Sequence, residues 1–123
     1  MLFRSLDREI VAREHNRTIQ LNDPTAHAEI LLLRRAAAVT GNYRLAGMTV
    51  YVTVEPCPMC AGALIQGRVS GLVFGTCDAK GGGVVSRFQV LESGRMNHDI
   101  PFVSGILEDQ CRRIIQDFFL SRR

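Results

Sequence analysis

The sequence lacks any long apolar run, and this absence excludes one large class of proteins. None of its 123 residues belongs to a stretch approaching the roughly 20 consecutive apolar residues that a membrane-spanning helix needs. The first residues, MLFRSLDREIV, contain no continuous apolar segment of the kind that a secretory signal carries. We therefore expect an intracellular, cytoplasmic protein with no membrane partner.

Internal repeats, low-complexity segments and strong net charge are also missing. Apolar residues make up 46% of the chain and charged residues 22%, a balance typical of a folded globular protein rather than of a disordered chain. At this length, residues 1–123 are predicted to form a single domain. The net charge of +3 is mild, so it permits a phosphate-rich partner without requiring one.

Cysteine is scarce, and its four residues are unevenly spaced. Cys57 and Cys60 are separated by only two residues, whereas Cys77 and Cys111 stand alone. In a chain without a secretory signal, this usage favours metal or thiol chemistry over a disulfide framework.

What is present is an alternation of β-rich and helix-rich segments, which indicates α/β layers. Asp23 or Thr25 is expected to cap the first helix, because short oxygen-bearing side chains satisfy the free N–H groups of a helix start. Gly41 and Asn42 are expected to end this helix. The pattern predicts a hairpin over residues 2–13 with its turn at 6–8, strands at 48–54, 71–75 and 102–104, and helices at 26–39, 58–67, 87–91 and 106–120.

One histidine and the paired cysteines are residue types that commonly bind metal ions. Cys57 and Cys60 lie three apart at a predicted helix start, so both sulfurs face one way, and the helix dipole there favours thiolate over thiol. His27 can add a third ligand from the start of the preceding helix. Three ligands leave the fourth tetrahedral position of a Zn²⁺ ion to water, the arrangement of catalytic zinc, with one ion per chain. Glu29 is then the natural proton shuttle between that water and a substrate.

A closed structural zinc site, with Cys77 or Cys111 as fourth ligand, is the alternative interpretation. Cys111 lies on the apolar face of the last predicted helix, which favours a core position. The place of Cys77, in a loop after a predicted strand, leaves it open as a ligand.

Around these residues the sequence resembles the cytidine/deoxycytidylate deaminase superfamily, and most closely its bacterial tRNA-specific adenosine deaminases. The segments that carry the resemblance are TAHAEI, VEPCPMCAGALI, FGTCDAKGG and the closing DFFLSRR. The resemblance implies a three-layer α/β/α fold with a central mixed sheet. The helix that opens the family's fold is missing from this sequence, so we expect one apolar face of the sheet to be uncovered.

The resemblance also implies a reaction and partners. The reaction is hydrolytic deamination of adenosine to inosine at the wobble position of a tRNA anticodon, with zinc-activated water, and the enzymes act as homodimers. The resemblance assigns zinc binding to His27, Cys57 and Cys60, and proton transfer to Glu29. Its implied RNA contacts are Asn16 for the flipped base and Asp78 for the neighbouring nucleotide, and Lys80 is positioned to meet backbone phosphate.

Two other functions stay open from the sequence. The same zinc chemistry serves enzymes that deaminate a free base or nucleotide, such as guanine, cytosine or deoxycytidylate, because pocket contacts choose the substrate. The chain could also be a truncated, inactive RNA-binding form. The presence of Glu29 argues against that form, since a purely structural metal site has no use for its carboxylate.

Overall fold

Five strands form a mixed sheet in the order β2-β1-β3-β4-β5. The computed structural model describes residues 2–4 and 9–121. β1 (Leu2–Arg4) and β2 (Glu9–Ala12) pair antiparallel, which confirms the predicted hairpin, although the predicted turn at 6–8 lies outside the described residues. β3 (Met48–Val54), β4 (Gly71–Thr76) and β5 (Phe102–Ser104) run parallel to one another, and β1 lies antiparallel beside β3.

Helix α1 (Ala28–Thr40) begins later than its sequence predicts. His27, in extended conformation, precedes the first turn, so the prediction that Asp23 or Thr25 caps this helix is wrong. The Asp23 carboxylate is already engaged in a local turn, where it accepts hydrogen bonds from the backbone and hydroxyl of Thr25 at 2.9 and 2.7 Å. The predicted stop is confirmed, because Gly41 adopts a left-handed conformation and its N–H bonds to the carbonyl of Ala37.

Helices α1 and α2 (Pro58–Gln66) cover one face of the sheet. Leu32 from α1 and Leu64 from α2 are fully buried in one core with Val50 and Phe74 from the two central strands. Burying a large apolar side chain contributes about 1.5–3 kcal/mol. This layer therefore anchors the starts of both helices at fixed positions over the sheet.

Helix α3 (Glu108–Ser121) forms the third layer on the opposite face. It approaches β4 at Gly75, where an added Cβ atom would overlap the sulfur of Cys111. The predicted three-layer α/β/α fold is thus confirmed. Much of this face is nevertheless exposed, including Tyr51 on β3, Val103 on β5 and Phe118 on α3, so β3 is buried on one face only.

Residues 87–91 do not form the short helix that the sequence predicts. The N–H groups of Arg87 and Phe88 both bond to the carbonyl of Gly82, and that of Val90 bonds to Gly83. These bonds reach back to the glycines at 82 and 83 and replace the hydrogen bonds of a helix. Within the described residues, no helix has the length and apolar character needed to cross a membrane.

Candidate metal centre

The candidate site lies where the two central parallel strands end. β3 runs directly into Glu55, Pro56 and Cys57, and the backbone N–H of Glu55 bonds to the carbonyl of Thr76 at the end of β4, at 2.8 Å. The carboxyl ends of parallel strands are the usual place for ligand sites in α/β sheets, because the loops that leave them converge there.

His27, Cys57 and Cys60 come together at this edge from the starts of two helices. The Nδ1 atom of His27 is 3.6 Å from the sulfur of Cys57 and 3.5 Å from that of Cys60. The three potential ligand atoms all lie within 4.8 Å of one another. Cys60 is buried, whereas His27 and Cys57 are half-buried, so the cluster opens on one side.

These distances suit a zinc ion. Zinc bound about 2.0–2.1 Å from a histidine nitrogen and about 2.3 Å from a thiolate, at tetrahedral angles, separates those two ligand atoms by about 3.6 Å. Among residues 9–121, neither Cys77 nor Cys111 belongs to the cluster. Cys77 is exposed, and Cys111 packs against β4 at Gly75. The geometry therefore favours three protein ligands and an open fourth position over a closed four-ligand site.

The cysteine pair occupies the predicted helix start, yet the local electrostatics differ from expectation. Burial raises the pKa of the Cys60 thiol, and the nearby Glu29 carboxylate and Cys57 raise it further. Burial and these neighbours favour the thiol at Cys60, whereas the helix dipole was predicted to favour the thiolate. A bound divalent cation reverses the balance, because a coordinating thiol loses its proton to the metal. The Cys60 thiol is therefore expected to lose its proton only when a metal binds.

Glu29 lies in the first turn of α1 and is half-buried. Its carboxylate is close enough to Cys60 to act on that thiol both by charge and as a hydrogen-bond acceptor. A carboxylate at a helix N-terminus also interacts favourably with the helix dipole. The structure thus places an acid–base group directly beside the metal-ligand cluster.

Asn16 belongs to an exposed turn that is tied to the start of α1. Its side-chain oxygen accepts a hydrogen bond from the N–H of Thr18 at 3.1 Å. The next residue, Arg17, bonds through its N–H to the carbonyl of Ala26, immediately before His27, at 3.0 Å. This contact brings the turn to the metal-ligand cluster, while a contact between Asn16 and a base stays a prediction.

Asp78 and Lys80 lie in the glycine-rich loop, residues 77–86, that follows β4. One carboxylate oxygen of Asp78 accepts hydrogen bonds from the N–H groups of Lys80 and Gly81, at 3.1 and 3.2 Å. The side chain of Asp78 therefore caps the turn at the tip of this loop, and Lys80 is exposed beside it. Their predicted contacts with RNA stay predictions.

Sequence reasoning missed Glu55, the residue between the end of β3 and the cysteine turn. Burial raises the pKa of its carboxyl, but hydrogen bonds from Ser86, Val85 and Asp78 outweigh burial and lower the pKa to about 2. A carboxylate at the end of a buried strand must find donors, because burying an unpaired charge is costly. The position of Glu55 directly after a buried strand was therefore the signal in the sequence that its carboxylate has a structural role.

Comparisons with known proteins place this architecture in a family. The MafB19-like deaminase family matches residues 4–123. The tRNA-specific adenosine deaminase of Haemophilus influenzae is 46% identical over 116 residues, covering 94% of this chain and 67% of that protein. A solved structure from a study of A-to-I editing by tRNA:A34 deaminases at the wobble position is 42% identical, with a TM-score of 0.84, and the match covers 88% of this chain and 78% of that one.

A more distant neighbour shares the fold alone. The guanine deaminase of Nitrosomonas europaea has a TM-score of 0.81 at 23% identity, over 95% of this chain and 69% of that one. The matches together establish a deaminase fold for this chain. The chain belongs to the MafB19-like deaminase family, among the tRNA-specific adenosine deaminases.

Proposed function

We propose that this chain, as one zinc-dependent domain, converts adenosine to inosine at the wobble position of a tRNA anticodon. One observation carries the proposal: His27, Cys57 and Cys60 form an open three-ligand cluster with Glu29 beside it. The chain's 46% identity to a tRNA-specific adenosine deaminase supports adenosine in tRNA as the substrate.

Three residues of the site would bind the metal, and a fourth transfers protons during hydrolysis. His27, Cys57 and Cys60 would hold one Zn²⁺ ion, which supplies an acidified water molecule for attack on the base. Glu29 accepts a proton as the water adds to C6 of adenine and delivers protons to the ring and to the leaving amine. The balance is one adenosine and one water consumed, with one inosine and one ammonia formed. An anticodon loop presents unstacked bases, so moving one base into the site costs little.

Asn16, Asp78 and Lys80 are proposed to bind the RNA around the reacting base. Asn16 is exposed on the turn fastened to Ala26, next to the first metal ligand. Lys80 is exposed at the tip of the glycine-rich loop, where an ammonium group can meet backbone phosphate. Asp78 lies immediately before that tip and is half-buried. Such a substrate is consistent with a cytoplasmic location.

Conversion of an arginine tRNA with adenosine at the wobble position tests the proposal. After incubation and reverse transcription, inosine is read as an A-to-G change. We expect conversion by the wild-type protein and by Glu92→Ala, a matched change at an exposed carboxylate paired with Arg95. We expect none by Glu29→Ala. The zinc-loaded wild type could instead leave the tRNA unchanged and deaminate free guanine or cytosine. That result would show that the substrate is a free base and not tRNA.

We also propose that the working form is a homodimer. The exposed apolar side chains on α3 and the adjoining sheet face, among them Phe118, Phe119 and Val103, support association. Light scattering coupled to size-exclusion chromatography measures the mass directly. A mass of one chain at micromolar concentration would contradict this proposal.

A further inference from the structure

Glu55 is a buried carboxylate that the hydrolysis itself does not use. Only 3% of the residue is exposed, and it lies immediately before the Pro56–Cys57 turn. Pro56 and Cys57 lead directly into α2, so Glu55 is fixed at the end of β3 by the same backbone that carries one metal ligand.

The carboxylate binds both ends of the glycine-rich loop. One oxygen, Oε1, accepts a hydrogen bond from the N–H of Asp78 at 3.1 Å and another from the hydroxyl of Ser86. The other oxygen, Oε2, accepts from three consecutive N–H groups, those of Val84, Val85 and Ser86, at 3.0, 2.8 and 3.0 Å. Five donors therefore converge on one side chain from two segments of the loop.

Two glycines let the loop close tightly on this carboxylate. A Cβ atom added at Gly82 would overlap the carboxylate group of Glu55. One added at Gly83 would lie 2.5 Å from the backbone nitrogen of Pro58, and the N–H of Gly83 also bonds to the carbonyl of Pro56 at 2.8 Å. The inner part of the loop is thus packed against the cysteine turn, while its tip at Ala79 and Lys80 is exposed.

Charge makes this arrangement specific for glutamate. A carboxylate offers several acceptor sites and no donor, which suits five converging donors. The amide of glutamine would direct an NH₂ group at N–H donors, so at least one buried donor would lose its partner. A buried, unsatisfied donor is costly, whereas hydrogen bonds to a charged acceptor are stronger than neutral ones.

We infer that Glu55 is a positioning residue that holds both ends of the glycine-rich loop on the cysteine turn and so fixes the loop's exposed tip for binding RNA beside the reacting base. The inference rests on the proposed function for its substrate. Lys80 lies at that tip and Asp78 lies immediately before it, so a loosened loop weakens contacts with nucleotides away from the reacting atoms. Such contacts contribute to binding in the ground and transition states alike, so their loss raises KM and spares kcat.

The test compares Glu55→Gln and Ser86→Ala with Glu92→Gln, a change at an exposed carboxylate outside the loop. With an anticodon stem-loop RNA as substrate, we expect Glu55→Gln to raise KM about tenfold and keep kcat within about twofold. Ser86→Ala removes only the hydroxyl donor, so KM should rise about twofold. Glu92→Gln should match the wild type, and zinc content should stay at one ion per chain in every variant.

Hydrogen exchange gives a second readout that does not depend on activity. Peptides covering residues 76–90 should exchange faster in Glu55→Gln than in the wild type, with α1 and β3 unchanged. Unchanged KM, a fall in kcat at constant KM, or unchanged exchange in this segment would overturn the inference. If the wild type leaves the RNA unconverted, the proposed function fails, and the exchange experiment still decides whether Glu55 holds the loop.

Discussion

His27 occupies the N-cap position of a helix and is also a candidate metal ligand, two roles that proteins usually assign to different residues. It precedes the first turn of α1, where Ser, Thr, Asp or Asn would accept a hydrogen bond from the free N–H groups, but its own side chain makes no such bond. The ring faces the sulfurs of Cys57 and Cys60 instead. At this residue, ligand geometry takes precedence over helix capping, and the helix start forgoes about 1 kcal/mol of capping stabilisation.

The same reasoning predicts a contrast between two cysteines. Cys57→Ser should lower the free energy of unfolding of the zinc-loaded protein by about 3 kcal/mol or more, because it removes one of the three side chains that would hold the metal between two helix starts. Cys77→Ser should change it by less than about 0.5 kcal/mol, since Cys77 is exposed and outside the cluster. Thermal unfolding and zinc per chain are the measurements. Equal losses of unfolding free energy in Cys57→Ser and Cys77→Ser would instead favour the closed four-ligand site.

At the scale of helices and strands, the end of α1 depends on the backbone conformation of one residue. Gly41 ends α1 at φ 68°, in the left-handed region, whereas Gly62 lies inside α2. A Cβ atom added at either glycine meets nothing within 4 Å, so steric overlap plays no part at these two positions. They therefore isolate the effect of backbone conformation.

Alanine at these two glycines should shift stability in opposite directions. Gly41→Ala should destabilise the protein by about 1 kcal/mol, because side chains other than glycine disfavour the left-handed conformation. Gly62→Ala should stabilise it by up to about 1 kcal/mol, because alanine loses less conformational entropy in a helix interior. Chemical denaturation measures both. Destabilisation of similar size at both sites would show that the backbone argument is wrong.

The contact between α3 and β4 makes a separate prediction. Gly75→Ala should destabilise the protein by about 1–3 kcal/mol, because its Cβ atom has no space beside Cys111 and α3 must move outward. Hydrogen exchange should rise in α3 while α1 and α2 stay protected. Cys111→Ala is the control, because it shortens the same contact without inserting an atom. An unchanged exchange rate in α3 for Gly75→Ala would contradict the observed packing.

At the scale of the whole molecule, the candidate metal centre brings together two helix starts that the chain separates by thirty residues, from His27 to Cys57. Removing zinc with a chelator should therefore lower the melting temperature of the wild type by several degrees, since binding energy contributes to the folded state only. His27→Ala, purified without bound zinc, should melt at one temperature with or without chelator. A chelator effect of equal size in both proteins would assign the stabilisation to another site.

How far the fold was predictable from sequence depended on the range of the interactions involved. The β-branched run of β3 and the stop at Gly41 are local signals, and both were predicted correctly. The cap of α1 was not, because His27 serves a ligand cluster whose other members lie far along the chain. Glu55 was missed for the same reason: its donors are supplied by residues 78–86. The exposure of Phe118 depends on which elements cover that face, and helical periodicity cannot reveal it.

The close packing of Gly82 and Gly83 has a practical consequence for anyone who wishes to change the specificity of this protein. A side chain at either position would overlap Glu55 or the cysteine turn, so library members substituted there should lose the position of the loop. Ala79 and Lys80 project into solvent, and diversity at those positions leaves the inner part of the loop intact. Selection for new RNA sequences should therefore find its improved variants at the tip of the loop.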